Sequence, residues 1–299
     1  MMADQHIRQD PTEQYGQRRG QPVQKQPPPG TGARMDPPPD HGEESYRGSG
    51  RLTDRRAVIT GGDSGIGRAV ALAFAREGAD VVLSYLPQEE RDARETVRLV
   101  ESAGRRAVPV PGDITTEHQC VELVRRAVEE LGGIDILVNN AGYQMAQEKG
   151  IAEISTEQFD RVLKTNLYAL FWICKAAVPH MPPGSSIINT SSIQAFDPSP
   201  SLLDYATTKA GIVNFTKGLA ANLVDQGIRV NSVAPGPVWT PLIPATMPPE
   251  AVGKFGTTSP IGRPAQPAEL APSYVFFASQ ESSYTTGEVL AVTGGRRTI

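Results

Sequence analysis

Thr60-Gly61-Gly62-Asp63-Ser64-Gly65-Ile66-Gly67 follows the apolar run Ala57-Val58-Ile59 and precedes Arg68-Ala69-Val70-Ala71-Leu72-Ala73-Phe74-Ala75-Arg76-Glu77, a stretch of helical character. Strand, glycine loop and helix in that order read as a dinucleotide-binding turn. Glycines at 61, 65 and 67 let the backbone turn sharply and come close to a ligand, and the helix start offers unpaired N–H groups to a pyrophosphate. A glycine pattern alone also fits an ordinary tight turn; the strand before it and the helix after it favour the nucleotide reading.

Outward from this loop, short apolar runs alternate with longer amphipathic segments from Arg51 to the C-terminus. The alternation predicts an α/β single-domain Rossmann fold, a doubly wound parallel sheet of about seven strands with helices on both faces. Strand two reads as 79–85, a charged helix as 89–103, and strand three as 107–110. Thr115-Thr116-Glu117 opens a helix to Leu131 that Gly132-Gly133 closes, before a strand at 134–138. Ser155 is placed to cap a long helix reaching about Val178, followed by a strand at 186–189. A helix at 205–225 and a strand at 228–233 come next. A proline-rich insertion from Pro235 to about Gly262, with a substrate lid over 237–262, precedes a short helix at 267–279 and a last strand at 288–292.

Residues 1–50 form a Pro/Gln-rich arm ahead of this domain, with Pro27-Pro28-Pro29 and Pro37-Pro38-Pro39 favouring extended backbone. Its composition fits a disordered tail and equally an ordered arm that packs along its own domain or a neighbouring subunit, with Tyr15 and Tyr46 as anchors.

The formal net charge of −4, with signs mixed along the chain, gives no reason to expect nucleic acid or an anionic membrane as partner and favours small-molecule chemistry. Cys120 and Cys174 form no CxxC pair and the four histidines lack ligand spacing, which predicts reduced thiols and no metal. The N-terminus lacks a basic segment followed by an apolar one, and Lys175 interrupts the apolar 167–181 stretch. The expectation is a cytoplasmic protein without a membrane span.

Four groups fall at the carboxyl ends of the predicted strands or on adjoining helices, where an open sheet binds ligands. Tyr205 and Lys209 stand at i and i+4 of one helix face, where an ammonium favours the phenolate and lowers the tyrosine pKa. Isolated, this spacing is most often a surface tyrosine beside a solvated lysine. Thr190-Ser191-Ser192 follows a strand and could present a hydroxyl to a substrate oxygen, although serines there are usually turn residues. Asn139-Asn140-Ala141-Gly142 ends another strand with small residues and amides suited to a ribose or nicotinamide. Asn166, a poor helix former inside a predicted helix, could satisfy a kink or a water.

Together these residues resemble a short-chain dehydrogenase/reductase over about five-sixths of the chain, from about Arg51 onward. TGxxxGIG at 60–67, NNAG at 139–142, Asn166, Ser192, YxxxK at 205–209 and Pro235-Gly236 followed by Thr240 occur in the family's order. The arm, Gly62-Asp63-Ser64, Ser191-Ser192-Ile193-Gln194-Ala195 and 278–284 are similar to the bacterial glucose/ribitol-dehydrogenase-like branch, which includes general stress proteins and aldehyde reductases.

The resemblance implies that Tyr205 exchanges a proton with a carbonyl or alcohol, that Lys209 lowers its pKa and holds the nicotinamide ribose, that Ser192 orients the substrate oxygen, and that Asn166 holds a relay water. It implies that Thr60, Gly61, Ser64, Gly65, Ile66 and Gly67 cradle the pyrophosphate. Asp113 and Ile114 would meet the adenine, with helix capping an equal alternative for Asp113, and Asn140, Ala141 and Gly142 the ribose. Pro235, Gly236, Val238 and Thr240 would position the carboxamide. The residue expected at the 2′ position is Tyr85, not an acid, so NADP(H) or NAD(H) is allowed with a slight lean to NADP(H); Arg68 and Arg91 are candidates to meet a 2′-phosphate. The substrate pocket is expected to draw on Gln144, Met145, Ile193, Gln194, Trp239 and the segment 241–255. Gln194 could bind a hydroxylated substrate or close a loop, and Trp239 could stack on substrate or pack the lid. The implied function is an NAD(P)-dependent oxidoreductase of small aldehydes, ketones, sugars or polyols, working as a homotetramer. A 3-oxoacyl thioester reductase and a cofactor-binding stress or interaction protein are the alternatives.

Overall fold

A computed structural model describes residues 7–15 and 20–298. Seven parallel strands form one sheet in the order β3-β2-β1-β4-β5-β6-β7, with β1 Arg56–Thr60, β2 Asp80–Tyr85, β3 Ala107–Pro111, β4 Ile136–Asn139, β5 Ser186–Thr190, β6 Arg229–Pro235 and β7 Val289–Val292. Side chains alternate across the pleat. Ile59, Val138, Ile188 and Val233 face helices α1 Gly65–Arg76 and α9 Pro267–Ala278 on one side, through Phe74, Tyr274 and Phe277. Val58, Val82, Leu137, Ile187 and Val230 face α3 Glu117–Leu131, α5 Ala169–Ala177 and α6 Leu203–Leu223 on the other, through Leu123, Ile173 and Leu223. Burial on both faces explains the almost continuous apolar strands. The chain winds outward from β1 to β3 and restarts at β4 on the other side of β1, so the carboxyl ends of β1 and β4 flank the crevice of the switch point.

Helix α2 spans Glu90–Ser102 and covers the β2–β3 end. The helix predicted at 155–178 is not uniform. It comprises α4 Thr156–Leu163, a π turn Lys164–Tyr168 and α5, and Ser155 caps its start by accepting from the Gln158 amide. The π turn centres on Asn166, whose Nδ2 donates to the Tyr143 carbonyl (3.0 Å) and the Thr208 hydroxyl (2.9 Å) while its Oδ1 accepts from the Tyr143 amide (2.8 Å). Two short helices, α7 Leu242–Thr246 and α8 Pro249–Gly253, lie in the insertion before α9. No helix among the described residues is long and apolar enough to cross a membrane.

The described part of the arm runs along its own domain, largely in extended backbone, with turns at 11–15, 28–29 and 43–45 and a short 3-10 turn at Gly32–Arg34. Tyr46 enters the α1–α9 side of the core, and Met35 joins Trp239, Ile243 and Val252 in a satellite cluster under the insertion. The Tyr15 hydroxyl donates to Asp40 (3.0 Å), and its ring faces the Arg263 guanidinium. At the junction of arm and domain, the fully buried Glu77 carboxylate accepts from the Tyr46 hydroxyl (2.6 Å), the amides of Ser49 (2.9 Å) and Arg51 (3.0 Å), and the Arg51 guanidinium (2.6 Å). Burial disfavours its charge, but these donors outweigh that and hold its pKa down at about 2.

A carboxyl depressed on folding contributes stability above its unfolded pKa and loses it as pH falls through the folded value. Acid unfolding of the wild type should therefore steepen between pH 4.5 and about 2. Glu77→Gln should cost about 2 kcal/mol at pH 7 in chemical denaturation and flatten that acid limb. Equal acid sensitivity of the two proteins would exclude Glu77 as its source.

Candidate active site

One cavity of about 830 Å³ opens at the carboxyl edge of the sheet and extends from the glycine loop to the insertion. Gly61, Ser64, Gly65 and Ile66 line it. Ser64 stands at the N-cap of α1 without a side-chain cap, leaving the first helical amides for another acceptor. Gly61 and Gly65 adopt φ of +61° and +50°, and a Cβ on Gly65 would touch Thr240 Cγ2 at 3.0 Å. Thr60 and Gly67 lie behind this surface rather than on it. The Thr60 hydroxyl accepts from the amides of Asn140 and Ala141, both at 3.0 Å, and a Cβ on Gly67 would lie 1.8 Å from the Gly61 carbonyl oxygen.

At the β4 end, Asn140 Nδ2 donates to the carbonyls of Thr60 (3.1 Å) and Gly61 (3.2 Å), binding the NNAG turn to the glycine loop. Asn140, Ala141 and Gly142 line the cavity. Toward the outer strands Tyr85, Asp113 and Ile114 line it too. The Tyr85 hydroxyl donates to Glu90 (2.6 Å), and Asp113 accepts from the Thr115 amide (3.0 Å), so Asp113 closes a turn and faces the cavity at once. Neither arginine candidate lines this end: Arg68 is buried on Asp63 and Asp92, and Arg91 lines a separate surface cleft. The carboxyls of Asp63 and Glu89 do line it, and burial pushes them up, to about 6 and about 8.

Tyr205, Lys209 and Ser192 converge in the middle of the same cavity, from the first turns of α6 and the loop after β5. Lys209 is buried, donates to the Thr190 carbonyl at 2.8 Å, and its Nζ lies 5.3 Å from the Tyr205 ring centroid. The Ser192 hydroxyl accepts from the Gln194 amide (3.1 Å), which holds it at the mouth of a short 3-10 turn. A Cβ on Gly142 would approach Lys209 Nζ at 3.5 Å and Asn166 Oδ1 at 3.7 Å, so Asn166 stands next to the lysine, its amide engaged by Tyr143 and Thr208. The expected depression of the Tyr205 pKa is not found. Burial pushes the phenol up to about 12, against a lowering by the Ser192 hydroxyl, and pushes the Lys209 ammonium down to about 7.

Pro235, Gly236, Val238 and Thr240 line the far wall, and Gln144, Ile193 and Gln194 the substrate side. Gln194 Oε1 accepts from the Ser199 amide (2.7 Å), so the loop-closing reading holds for that oxygen while the residue still faces the cavity. Met145 and Trp239 are not part of the lining. Trp239 corrects the expectation of a substrate contact: it packs under the insertion with Met35, Ile243 and Val252, is fully buried, and its indole N–H donates to the Pro37 carbonyl (2.8 Å). Sequence reasoning missed Pro28 and Pro29, which line the cavity from the arm, and Tyr143, which lines it with the Arg161 guanidinium 4.8 Å from its ring centroid. Neither had a local signal, since both sites arise from packing between distant segments.

A family model described as enoyl-(acyl carrier protein) reductase matches residues 61–297. The uncharacterized oxidoreductase YghA of Escherichia coli is 54% identical over 289 residues, covering 96% of this chain and 97% of that protein. An NADPH-dependent aldehyde reductase 1, chloroplastic, of Arabidopsis thaliana is 46% identical over 87% of this chain and 92% of its own. A short chain dehydrogenase of Burkholderia cenocepacia, solved in complex with NADP, superposes with a TM-score of 0.77 at 32% identity, covering 82% of this chain and 98% of that one. With the motif residues converging in one cavity at the switch point and relatives of this identity spanning nearly their whole length, the chain belongs to the short-chain dehydrogenase/reductase family and is an oxidoreductase.

Proposed function

We propose that the protein is an NAD(P)-dependent reductase of small aldehydes and ketones, reversible toward alcohols and polyols, with Tyr205 as the acid and base. The observation that carries this reading is the convergence of Tyr205, Lys209 and Ser192 in a cavity continuous with the uncapped start of α1. The cavity suits a dinucleotide on its own geometry: Gly65 clears the space a side chain would take against Thr240, and free helix amides are available to a pyrophosphate. Gly61, Ser64, Gly65 and Ile66 would hold the pyrophosphate, Tyr85, Asp113 and Ile114 the adenosine, Asn140 to Gly142 with Lys209 the second ribose, and Pro235, Gly236, Val238 and Thr240 the carboxamide. The bound dinucleotide supplies the hydride. NADP(H) is favoured by the NADP-bound Burkholderia structure, by the name of the Arabidopsis relative and by the lack of an acid at Tyr85. Glu89, whose raised pKa keeps it largely protonated at neutral pH, lessens the repulsion a 2′-phosphate would meet.

In carbonyl reduction the Ser192 hydroxyl fixes and polarises the substrate oxygen, and the Tyr205 phenol gives it a proton as negative charge develops. Lys209 opposes the phenolate charge that this leaves on Tyr205. Thr60 and Gly67 act from behind, holding the loop's shape, and Asn166 holds the Tyr143 backbone beside Lys209 as a positioning residue. The two cysteines are buried free thiols, which suits a reducing compartment such as the cytoplasm. Phe159, Tyr168 and Phe171 leave large apolar side chains exposed on the α4–α5 segment, which suits a homotetramer built through it.

Tyr205→Phe should lower carbonyl turnover by about a thousandfold with dinucleotide affinity unchanged, measured by absorbance at 340 nm and by titration; retained turnover would overturn the assignment. Reduction needs a protonated phenol and a nearby ammonium, so its kcat/KM should decline as pH rises through about 7, where Lys209 loses its proton. Oxidation needs the phenolate, so its kcat/KM should climb toward alkaline pH, the phenol lying near 12. Initial rates in both directions from pH 6 to 10 test the two signs. Light scattering at micromolar concentration should give the mass of four chains, and a monomer would refute the tetramer.

A further inference from the structure

We propose, resting on the dinucleotide reading above, that the N-terminal arm is a working wall of the cofactor cavity, and that Asp92 and Arg68 are positioning residues through which it fixes the glycine loop. The arm precedes the family match, which begins at residue 61, and the Burkholderia structure covers 82% of this chain while using 98% of its own. The 289-residue match to YghA, by contrast, is too long to exclude the arm. The arm is thus shared with that relative and lies beyond what the family fold requires.

Two sets of contacts carry the assignment. On the glycine-loop side, Pro28 and Pro29 line the cavity, and three residues after Pro29 the Gly32 amide donates to Asp92 Oδ2 at 2.8 Å. Asp92 is buried on α2, and a buried carboxylate needs partners. Its other oxygen faces Arg68 Nη2 at 3.7 Å, and that nitrogen also donates to the Asp92 carbonyl at 3.0 Å. Arg68 Nε then donates to the carbonyl of Asp63 at 2.9 Å, and the Thr96 hydroxyl donates to the same carbonyl at 2.9 Å. A continuous buried path therefore runs from an arm amide to the backbone of the loop that turns at Gly61 and Gly65.

On the lid side, the Gln26 amide donates to the Pro244 carbonyl (3.0 Å) and the Gln21 amide to the Gly253 carbonyl (2.9 Å). A Cβ on Gly30 would lie 2.6 Å from the Pro241 carbonyl oxygen, so arm and lid backbones are in direct contact. The arm ties together the two walls between which a dinucleotide must lie. Such preorganisation acts on affinity, since it lowers the ordering cost at binding and leaves Tyr205, Ser192 and Lys209 unchanged.

The test titrates full-length wild type, the double variant Pro28→Gly/Pro29→Gly, Asp92→Ala, Asp92→Asn and Tyr46→Phe with NADPH and NADH, reading Kd by nicotinamide fluorescence, with apo melting temperature and kcat at saturating cofactor alongside. The double variant and Asp92→Ala should each raise Kd tenfold or more with kcat within twofold of wild type. Asp92→Asn, which keeps an oxygen for the Gly32 amide, should fall between. Tyr46→Phe, which removes a hydroxyl bonded to Glu77 and Arg51 away from the cavity, should lower the melting temperature without moving Kd. Kd within twofold of wild type in the double variant overturns the proposal even if Asp92→Ala does not fold, and so does a loss of kcat at unchanged Kd. Failure of the wild type to bind either dinucleotide would sink the cofactor reading itself, whereas wild-type binding with indifferent variants would sink the arm alone.

Discussion

The structure depends on a backbone contact that only glycine permits. Gly67, in the first turn of α1, sits so close to Gly61 that a single added carbon would lie 1.8 Å from the Gly61 carbonyl oxygen and 2.8 Å from Asn140 Nδ2. That contact draws the helix start against the ends of β1 and β4 at once. Thr60 then accepts the Asn140 and Ala141 amides, and Asn140 returns hydrogen bonds to the Thr60 and Gly61 carbonyls. Buried backbone groups must be paired, and here the pairing fixes the switch point. The crevice lies where the sheet's topology separates the two crossovers, and these contacts bind the β1 and β4 ends that flank it.

Features that rest on local periodicity were legible in the sequence. The β1 strand, the glycine loop and α1 form one contiguous signal, and Tyr205 and Lys209 share a face of α6 because four residues make about one turn. Features that rest on one segment meeting another were not. In the 155–178 stretch Asn166, a poor helix former, signals a kink, but nothing local to it shows that the residue will bond the Tyr143 backbone or that the interruption takes the form of a π turn, a distortion that recurs at functional sites. Trp239 stayed open between two readings for the same reason. A tryptophan after the PG turn suits stacking or lid packing equally, and the arm's Pro37 carbonyl, two hundred residues away in sequence, decides between them.

The electrostatics of Tyr205 and Lys209 show why proximity alone does not set a pKa. Spacing predicts that the ammonium will lower the phenol, but Lys209 is buried and Tyr205 half-buried, and desolvation acts on each in the direction that favours its neutral form. Lys209 is also turned to the Thr190 carbonyl, with its nitrogen over the ring rather than on the hydroxyl. At neutral pH the phenol therefore keeps its proton while the lysine sits near the midpoint of its titration.

The arm extends the same logic from chemistry to architecture. Its proline-rich sequence has little capacity to form a core alone, and its described residues obtain order by borrowing surfaces the domain provides: Glu77 for Tyr46, the satellite cluster for Met35, Asp92 for Gly32. The borrowing is reciprocal. Without the arm, Asp92 would lose the Gly32 amide, Trp239 would lose the acceptor for its indole, and Glu77 would lose the Tyr46 hydroxyl while keeping Arg51, so three buried polar groups of the domain each take a hydrogen bond from the extension. A tail that merely trailed from the domain would supply none of these bonds, and one of the three leads directly to the backbone of the glycine loop.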